Sequence, residues 1–245
     1  MSERVGEIEA LFRYPVKSMR GERMDAAQLG WHGIEGDRRF AVRRVNDTSG
    51  FPWLTATKLP ELILFSPRRP AAAVDTALPT HVQTPDGGEL SIFGPELADD
   101  IGRRHGFPVE MIYLRNGIFD DATISVITSG SIMEIGKRAG LTADVRRFRP
   151  NVQVASLRSI PFEEDDWMGG TLSFGKDGEG GAISVTVRDE RCSMINLDPD
   201  TGERSPEVLK LVVRTRDNKA GIYSTVVRCG RLEVGQSVFF EPRAS

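Results

Sequence analysis

The sequence predicts a mostly β protein of the α+β class, in which short strands build barrel-like sheets and a few helices pack against them. Three observations favour this fold: the strand-like segments are short, proline and glycine separate them often, and few segments have helical periodicity. The chain has 245 residues, which fits one large domain or two small intimate ones. A weak boundary near residues 117–122 predicts an N-terminal β-barrel module over 1–117 and a second β-rich domain over 118–245.

Strand-like segments dominate the first third of the chain. Residues 5–12 alternate loosely in polarity, and residues 38–44 precede a turn-rich stretch. The short apolar run 61–65 indicates a further strand. Segments 81–84 and 89–92 flank a Pro-Asp-Gly-Gly turn, which predicts a β-hairpin.

Two segments indicate amphipathic helices. The first is Pro95–His105, with a glycine at position 106 to end it, and the second is Ser129–Ala139, with Gly140 as its C-cap. Further strands are predicted over 151–155, 183–187, 223–227 and 232–240, and loops over 71–73 and 176–181.

Composition excludes several classes of function. A net charge of -3 argues against a general nucleic-acid binder, which needs a basic surface, although it leaves room for a local basic pocket. The N-terminus carries charges where a secretory signal needs an apolar core, and no window approaches the ~20 apolar residues of a membrane span. Two cysteines fit a reducing compartment. We therefore expect a cytoplasmic protein without nucleic-acid or membrane partners.

Cys192 is the first candidate for chemistry. It follows a predicted strand and lies close to Arg188 and Arg191, which favour a thiolate, whereas the two acidic residues between these arginines oppose it. A thiolate is both a nucleophile and a ligand for a soft metal, but a free cysteine can equally be buried packing. Both interpretations stay open for Cys192, and Cys229 is interpreted as packing.

Three basic motifs are candidates for binding an anion. Lys17 and Ser18 follow a Tyr-Pro corner, where the backbone N–H groups and the ammonium suit a phosphate. Arg38 follows the tight turn GIEGD, and Arg149 and Asn151 belong to the motif RRFRPN. Each of these segments can also be an ordinary solvated loop.

Other chemistries lack their motifs. The three histidines are isolated in the sequence, which argues against a zinc site. The chain contains neither a GxSxG elbow nor a Walker-type loop, and its glycine-rich stretches lack the strand–loop–helix context of a dinucleotide site.

Seven segments together resemble one family. They are YPVKSM, GIEGDRRFAV, WLTATKLPEL, RFRPNVQV, RCSMINLDPDTG, GIYSTV and GRLEVGQSVFF. In order and spacing they are similar to a MOSC domain preceded by its N-terminal β-barrel, as in the amidoxime-reducing molybdoenzymes of mitochondria and their bacterial relatives. The resemblance covers nearly the whole chain, and it implies an N-terminal MOSC β-barrel module over 1–117 and a MOSC domain over 118–245.

The resemblance implies a ligand and its site. The ligand would be molybdenum-molybdopterin in a cleft between the two modules, with Cys192 as the metal ligand and catalytic residue and Asp120 or Asp121 as a further catalytic residue. At the level of the family it also implies pyridoxal phosphate binding. The residues expected to hold the cofactor are Lys17, Ser18, Arg38, Thr128, Ser129, Ser131, Arg149, Asn151 and Arg191.

The function implied is an oxidoreductase that reduces N-hydroxylated small molecules. A plant-type iron–sulfur cluster needs four cysteines, so the electrons would come from a separate ferredoxin- or flavin-type donor protein. Two alternatives stay open, a sulfur carrier with a Cys192 persulfide and a non-catalytic carrier of the cofactor. Glu190 departs from the pattern, because the family has a small polar residue there and a carboxylate near an anionic cofactor is unfavourable.

Overall fold

A computed structural model of the chain describes residues 2–69 and 78–243. The described residues are mostly β, which confirms the predicted fold class. Their strands are β1 (Glu3–Arg13), β2 (Glu22–Met24), β3 (Ala26–Gly30), β4 (Gly33–Ile34), β5 (Phe40–Arg44), β6 (Ser66–Arg68), β7 (His81–Gln83), β8 (Glu89–Ser91), β9 (Val109–Tyr113), β10 (Ile124–Thr128), β11 (Val152–Ser156), β12 (Thr171–Phe174), β13 (Ala182–Glu190), β14 (Lys219–Arg228), β15 (Gly230–Glu233) and β16 (Ser237–Glu241). Their α-helices are α1 (Pro95–His105), α2 (Ser129–Ala139) and α3 (Glu207–Arg216).

Seven strands close into a barrel. Their order is β1, β11, β10, β14, β13, β12 and β16, and β16 pairs with β1 again. The β10–β11 pair is parallel, and the other pairs are antiparallel. Strand β1 comes from the N-terminal segment and the other six strands come after residue 118, so the two predicted modules share one barrel.

The barrel interior follows from the alternation of side chains along its strands. In β1, Ile8 is fully buried among side chains from the other strands, while Glu7 and Glu9 face outward. A register shift between Ile8 and Ala10 resets the alternation, so Leu11 also faces inward. Trp167 and Phe174 are among the largest side chains of this core. A closed barrel leaves few free strand edges, so the ends of its strands and the loops there are the natural places for a site.

Two further cores flank the barrel and hold the loop after β13. One core is built mainly from residues 16–109, around β5, β9, the β6–β7–β8 sheet and α1, and it includes Met194 and Leu197. The other lies under α2 and α3 and includes Ile195. The loop that begins at Cys192 is therefore anchored between both cores.

Most elements predicted from the sequence are confirmed. Helices α1 and α2 have the predicted bounds, and both end at a left-handed glycine, Gly106 with φ 86° and Gly140 with φ 69°. The hairpin is formed by β7 and β8. The predicted loop 176–181 contains a short 3-10 turn, Lys176–Gly178, and the predicted loop 71–73 lies outside the described residues.

The strand predicted over 61–65 is wrong. Pro60–Leu64 is a 3-10 helix, with the proline at its start, where a missing N–H costs nothing. Leu62 and Ile63 are buried next to each other in the sequence, which one face of a strand cannot achieve. Strands β2, β3, β4, β6, β9, β10 and β12 and helix α3 were not predicted. None of the helices in the ranges 2–69 and 78–243 combines the length and apolar character needed to span a bilayer.

Candidate functional site

A cavity of about 470 Å³ lies where the loops at one end of the barrel meet the N-terminal segment. It gathers residues that are far apart in the sequence, and we call it the main cavity. Eight predicted site residues line it: Lys17, Ser18, Arg38, Asp120, Asp121, Arg149, Arg191 and Cys192. Its wall also includes Phe51, Thr55, Thr57, Arg147, Phe148, Asp189, Glu190, Met194, Ile195 and Tyr223.

Cys192 is exposed and lines the main cavity. It lies directly after β13, before the short 3-10 turn Ser193–Asn196. Met194 and Leu197 fix this turn by packing into the core of the N-terminal segment. The interpretation of Cys192 as buried packing is therefore wrong, and its thiol is accessible to a ligand. Cys229 is half-buried and does not line the cavity.

The Tyr-Pro corner places Lys17 and Ser18 at the cavity. After β1 the chain turns, and the Lys17 N–H donates to the carbonyl of Phe40 at 2.8 Å. The Lys17 ammonium is an ion-pair partner of Asp120, with 2.8 Å between Nζ and Oδ1. Burial raises the pKa of Asp120, but Lys17, with help from Arg38 and Arg149, outweighs this and holds the pKa below its ordinary value. Asp120 is thus an ionised hydrogen-bond acceptor at neutral pH.

A buried carboxylate behind the cavity positions Arg38. Asp37 is fully buried and pairs with the Arg38 guanidinium, and it accepts hydrogen bonds from the Tyr14 N–H at 2.7 Å and from Asn151 Nδ2 at 3.0 Å. The side-chain oxygen of Asn151 accepts from the N–H of Ser125 at 3.1 Å. Asn151 is itself buried and is not part of the cavity wall, so it acts on the cavity through Asp37 and Arg38.

Arg149 is a cation of the main cavity without a carboxylate partner in the ranges the structure describes. Its Nη1 donates to the carbonyl of Met19 at 2.7 Å, and its guanidinium lies 4.1 Å from the ring centroid of Tyr14. Burial lowers the pKa of Arg149 to about 10, and nearby Arg38 contributes, so it stays charged at neutral pH. A bound anion would therefore relieve an uncompensated positive charge here.

Three cavity residues have left-handed backbone conformations. The φ angles are 68° at Ser18, 49° at Arg38 and 52° at Arg149. Such conformations cost roughly 1 kcal/mol or more for a residue with a side chain, and they tend to cluster at functional sites. Here they turn the backbone at the end of β1, before β5 and before β11, where each of these side chains meets the cavity.

Arg191 lines the cavity, but its guanidinium is already engaged. It donates to the carbonyls of Ala220 at 2.7 Å and Phe148 at 2.8 Å, and it pairs with Asp189 at 2.7 Å. Burial raises the pKa of Asp189 to about 6, against the lowering effects of Arg191 and the Ser125 hydroxyl. Arg191 thus holds the cavity wall together, whereas Arg149 keeps donors for a ligand.

Thr128, Ser129 and Ser131 are not brought to the main cavity. The Thr128 and Ser131 hydroxyls are fully buried and donate to Oε2 of Glu164 at 2.6 and 2.8 Å. Ser129 lies at the start of α2, where its hydroxyl hydrogen-bonds to the side chain of Glu9. These three hydroxyls join α2 to its neighbours, in contrast to the cofactor role that the resemblance implies.

We predict that Ser131→Ala lowers stability but leaves ligand binding intact. The Ser131 hydroxyl accepts from the Phe162 N–H at 2.7 Å, so its loss leaves a buried donor unpaired and removes a donor to Glu164. The cost is about 1–3 kcal/mol, which corresponds to a fall in Tm of roughly 5 °C for a chain of this size. Thermal unfolding and metal analysis check this, with the less buried Ser129→Ala as a milder control. Loss of bound metal without loss of stability would contradict it.

A second prediction concerns the pH dependence of stability. Burial raises the pKa of Glu164, and the hydroxyls of Thr128 and Ser131 offset only part of this. The stability that this carboxyl contributes is fully present below its unfolded pKa and is lost as the pH rises through the raised folded value. Glu164→Gln has no carboxyl to ionise and lacks this loss. The Tm of the variant minus the Tm of the wild type should therefore increase from pH 4 to pH 8. Exposed Glu179→Gln should show no such trend, and a constant difference for Glu164→Gln would refute the prediction.

Several residues of the main cavity were not predicted from the sequence. Arg147, which pairs with Asp198 at 2.9 Å, and Tyr223 line the wall, and Asp37 supports it from behind. The turn Gly36-Asp37-Arg38 carries a signal for Asp37, because a carboxylate beside an arginine of interest is a natural partner for it. Tyr223 lies on the barrel strand β14 and carries no comparable signal.

The side chains of the main cavity fit a metal whose other ligands come from a cofactor. In the described ranges, no group of three or more His, Cys, Asp or Glu side chains is arranged to hold a metal ion. The cavity instead offers one exposed thiol, Cys192, together with cations and hydroxyls. A thiolate suits a soft, redox-active metal, and Arg149 suits an anionic cofactor that carries it.

Comparison with known proteins agrees with this arrangement. The family model for the MOSC domain matches residues 102–239. The chain belongs to the MOSC domain family. The model for the MOSC N-terminal beta barrel domain matches residues 5–104. The protein is 25% identical to mitochondrial amidoxime reducing component 2 of Bos taurus over 97% of its own length and 84% of that protein.

Two other comparisons bear on this MOSC protein. It is 25% identical to a molybdenum cofactor sulfurase of Drosophila grimshawi over 86% of its own length, but it spans only 31% of the sulfurase. The YuaD protein of Bacillus subtilis has a similar solved structure, with a TM-score of 0.53, 16% identity and complete coverage of both chains. At that identity the likeness shows the fold alone.

Proposed function

We propose that this MOSC protein binds molybdenum-molybdopterin in the main cavity and reduces N-hydroxylated small molecules with electrons from a separate donor protein. One observation carries the proposal: an exposed thiol, Cys192, shares a cavity with Arg149, a cation without a carboxylate partner among the described residues. The similarity to a mitochondrial amidoxime reducing component supports the type of reaction.

The residues that would hold the cofactor have distinct tasks. Cys192 would ligate the metal through its sulfur. Arg149 would neutralise the phosphate of the pterin, and the backbone turn at Ser18 with the Lys17 ammonium would add donors on the same side. Arg38 is fixed by Asp37 and forms the wall between these groups and β5.

When bound, the cofactor supplies the two-electron redox chemistry, and the protein controls orientation and access. Reduction of an N–OH group consumes two electrons and two protons and releases water. Asp120 is held ionised by Lys17 and lies at the rim, so it would accept hydrogen bonds from substrate N–H or O–H donors and orient them. Asp121 lies beside it on the cavity wall and adds a second acceptor.

Metal analysis with an activity assay tests the proposal. Protein produced in a host that makes the cofactor should contain about one molybdenum atom per chain. It should also convert benzamidoxime to benzamidine with reduced methyl viologen as donor. Cofactor-loaded protein that turns over neither benzamidoxime nor an N-hydroxylated base would refute the reductase and leave a non-catalytic carrier of the cofactor.

Sulfur transfer is a second candidate, which the exposure of Cys192 and the similarity to a molybdenum cofactor sulfurase favour. In this case the Cys192 thiolate would take a sulfane sulfur from the persulfide of a separate donor protein, whose thiol leaves. Delivery of this sulfur to a metal centre as sulfide would take two electrons from a separate reductant and return the Cys192 thiol. Intact-protein mass spectrometry would then show an added sulfur atom that is lost on reduction and is absent from Cys192→Ala. A molybdenum-loaded protein without this adduct would exclude it.

Glu190 lies at the rim of the main cavity, where the resemblance has a small polar residue. Its side chain is exposed, and its Oε1 accepts a hydrogen bond from Asn218 Nδ2 at 3.3 Å. This contact draws the carboxylate toward β14 and solvent, which reduces the electrostatic cost of an anionic cofactor nearby.

A further inference from the structure

A second cavity, of about 310 Å³, adjoins the main cavity. Arg149 belongs to the walls of both cavities, and the other residues of the second cavity lie outside the main one. Its volume is at the lower end of the ~300–1,000 Å³ that is usual for small-molecule sites. Nothing in the function proposed above uses this space.

One wall of the second cavity is apolar and aromatic. Phe12 and Tyr14 stack with 6.5 Å between their ring centroids and an interplanar angle of 24°. Ile63, Val145 and Pro199 extend this surface. A wall of this kind favours a flat ring system over an extended chain, because planar heterocycles gain dispersion and stacking against aromatic and apolar groups.

The rim of the second cavity is cationic. Arg20, Arg23 and Arg146 line it together with Arg149. The side chain of Arg23 is exposed on β2 and has neither a hydrogen bond nor an ion pair in the described part of the chain. The Nε of Arg20 is buried without a hydrogen-bond partner among the described residues. The terminal nitrogen Nη2 of Arg20 already donates to the carbonyl of Pro199 at 3.2 Å, so Arg20 keeps its Nε donor for a ligand and Arg23 keeps its whole guanidinium.

The net positive charge at the rim of the second cavity matches the charge of a phosphate monoester. The four arginines are opposed by two carboxylates. Asp144 pairs with Arg146 at 2.7 Å, and Asp200 pairs with Arg146 at 2.6 Å and with Arg20 at 3.7 Å. Two positive charges remain at the rim. A phosphate monoester carries about two negative charges at neutral pH, and arginine is the best matched side chain for its oxygens.

We propose that the second cavity binds a nucleoside monophosphate, with the phosphate at Arg23 and Arg20 and the base against the apolar wall of Phe12, Val145 and Pro199. Two sources supply this chemistry. The nucleotide can be a free molecule, or it can be attached to a cofactor in the main cavity, since both cavities meet at Arg149. The proposal for the free nucleotide concerns the cofactor-free protein, in which no pterin phosphate engages Arg149, so it does not depend on molybdopterin binding in the main cavity.

Titration of the cofactor-free protein tests the first source. Guanosine monophosphate, guanosine and inorganic phosphate are titrated separately by isothermal calorimetry. We expect the monophosphate to bind more tightly than either part, and Arg23→Glu to weaken it about tenfold or more, which is typical of a lost charge-assisted hydrogen bond. Arg214→Glu is the matched control, because Arg214 is an exposed arginine on α3 that lines neither cavity.

Analysis of the cofactor-loaded protein tests the second source. Acid release followed by chromatography should give one nucleotide per molybdenum atom, and Arg23→Glu should lower the nucleotide retained. Molybdenum content is measured on the same sample, so failure of the main-cavity proposal is recognised separately.

Three results would overturn the inference. The first is monophosphate binding that Arg23→Glu does not weaken, and the second is phosphate binding as tight as that of the monophosphate. The third is a protein that neither binds the monophosphate when cofactor-free nor releases a nucleotide when loaded.

Discussion

Cys192→Ala should abolish molybdenum binding and reductase activity while the fold stays intact. Cys192 is the exposed thiol of the main cavity, and its loss would remove the protein's own ligand to the metal. Even groups that only support a ligand change metal affinity or activity by about 10–100-fold, so a ligand itself should cost on the order of a hundredfold or more. The measurements are molybdenum per chain and the rate of benzamidoxime reduction.

Cys229→Ala is the matched control for this prediction. Cys229 is the other free cysteine, and it lies outside the main cavity. Both variants should unfold within a few degrees of the wild type, because substitutions at exposed or half-buried positions usually change stability by about 0.5 kcal/mol. Full molybdenum content and activity in Cys192→Ala would rule out the proposed metal ligand, whereas equal losses in both variants would point to a general effect of thiol removal.

The ends of helices show what local sequence can predict. Helices α1 and α2 have the predicted bounds because each has an apolar stripe and a glycine that takes a left-handed conformation after its last turn. Helix α3 lacks that signal, since Asp217 takes the left-handed position with φ 53°. The strand predicted over 61–65 is wrong because four consecutive apolar residues, 62–65, have no periodicity that separates a strand from a helix.

The candidate site shows the limit of the same approach. The convergence of Cys192, Lys17 and Arg149 on one cavity agrees with the arrangement implied by the family resemblance. The roles of the other predicted site residues depend on partners far away in the sequence. Asn151 forms a hydrogen bond with Asp37, 114 positions away, and Thr128 forms one with Glu164, 36 positions away. Which buried polar groups pair with one another is decided by the tertiary fold, and local patterns do not contain it.

Loss of Asp37 should have the largest effect on stability among the variants considered. The carboxylate is fully buried, pairs with Arg38 and accepts hydrogen bonds from the Tyr14 N–H and from Asn151. Asp37→Ala leaves these donors and the charge of Arg38 without their acceptor. Removal of one partner of a buried pair costs about 3–5 kcal/mol, which corresponds to a fall in Tm of roughly 10 °C.

Asp37→Asn separates the effect of charge from that of shape. The amide keeps the volume, but in place of Oδ2 it presents a donor to the donors of Arg38 and Asn151, so a substantial part of the loss should remain. Asp217→Asn, at an exposed position, should unfold like the wild type. Because Arg38 lines the main cavity, both Asp37 variants should also retain less molybdenum when purified at a temperature where they are folded. A wild-type Tm for Asp37→Ala would contradict the role of Asp37 as the support of this wall, since no other carboxylate among the described residues pairs with Arg38.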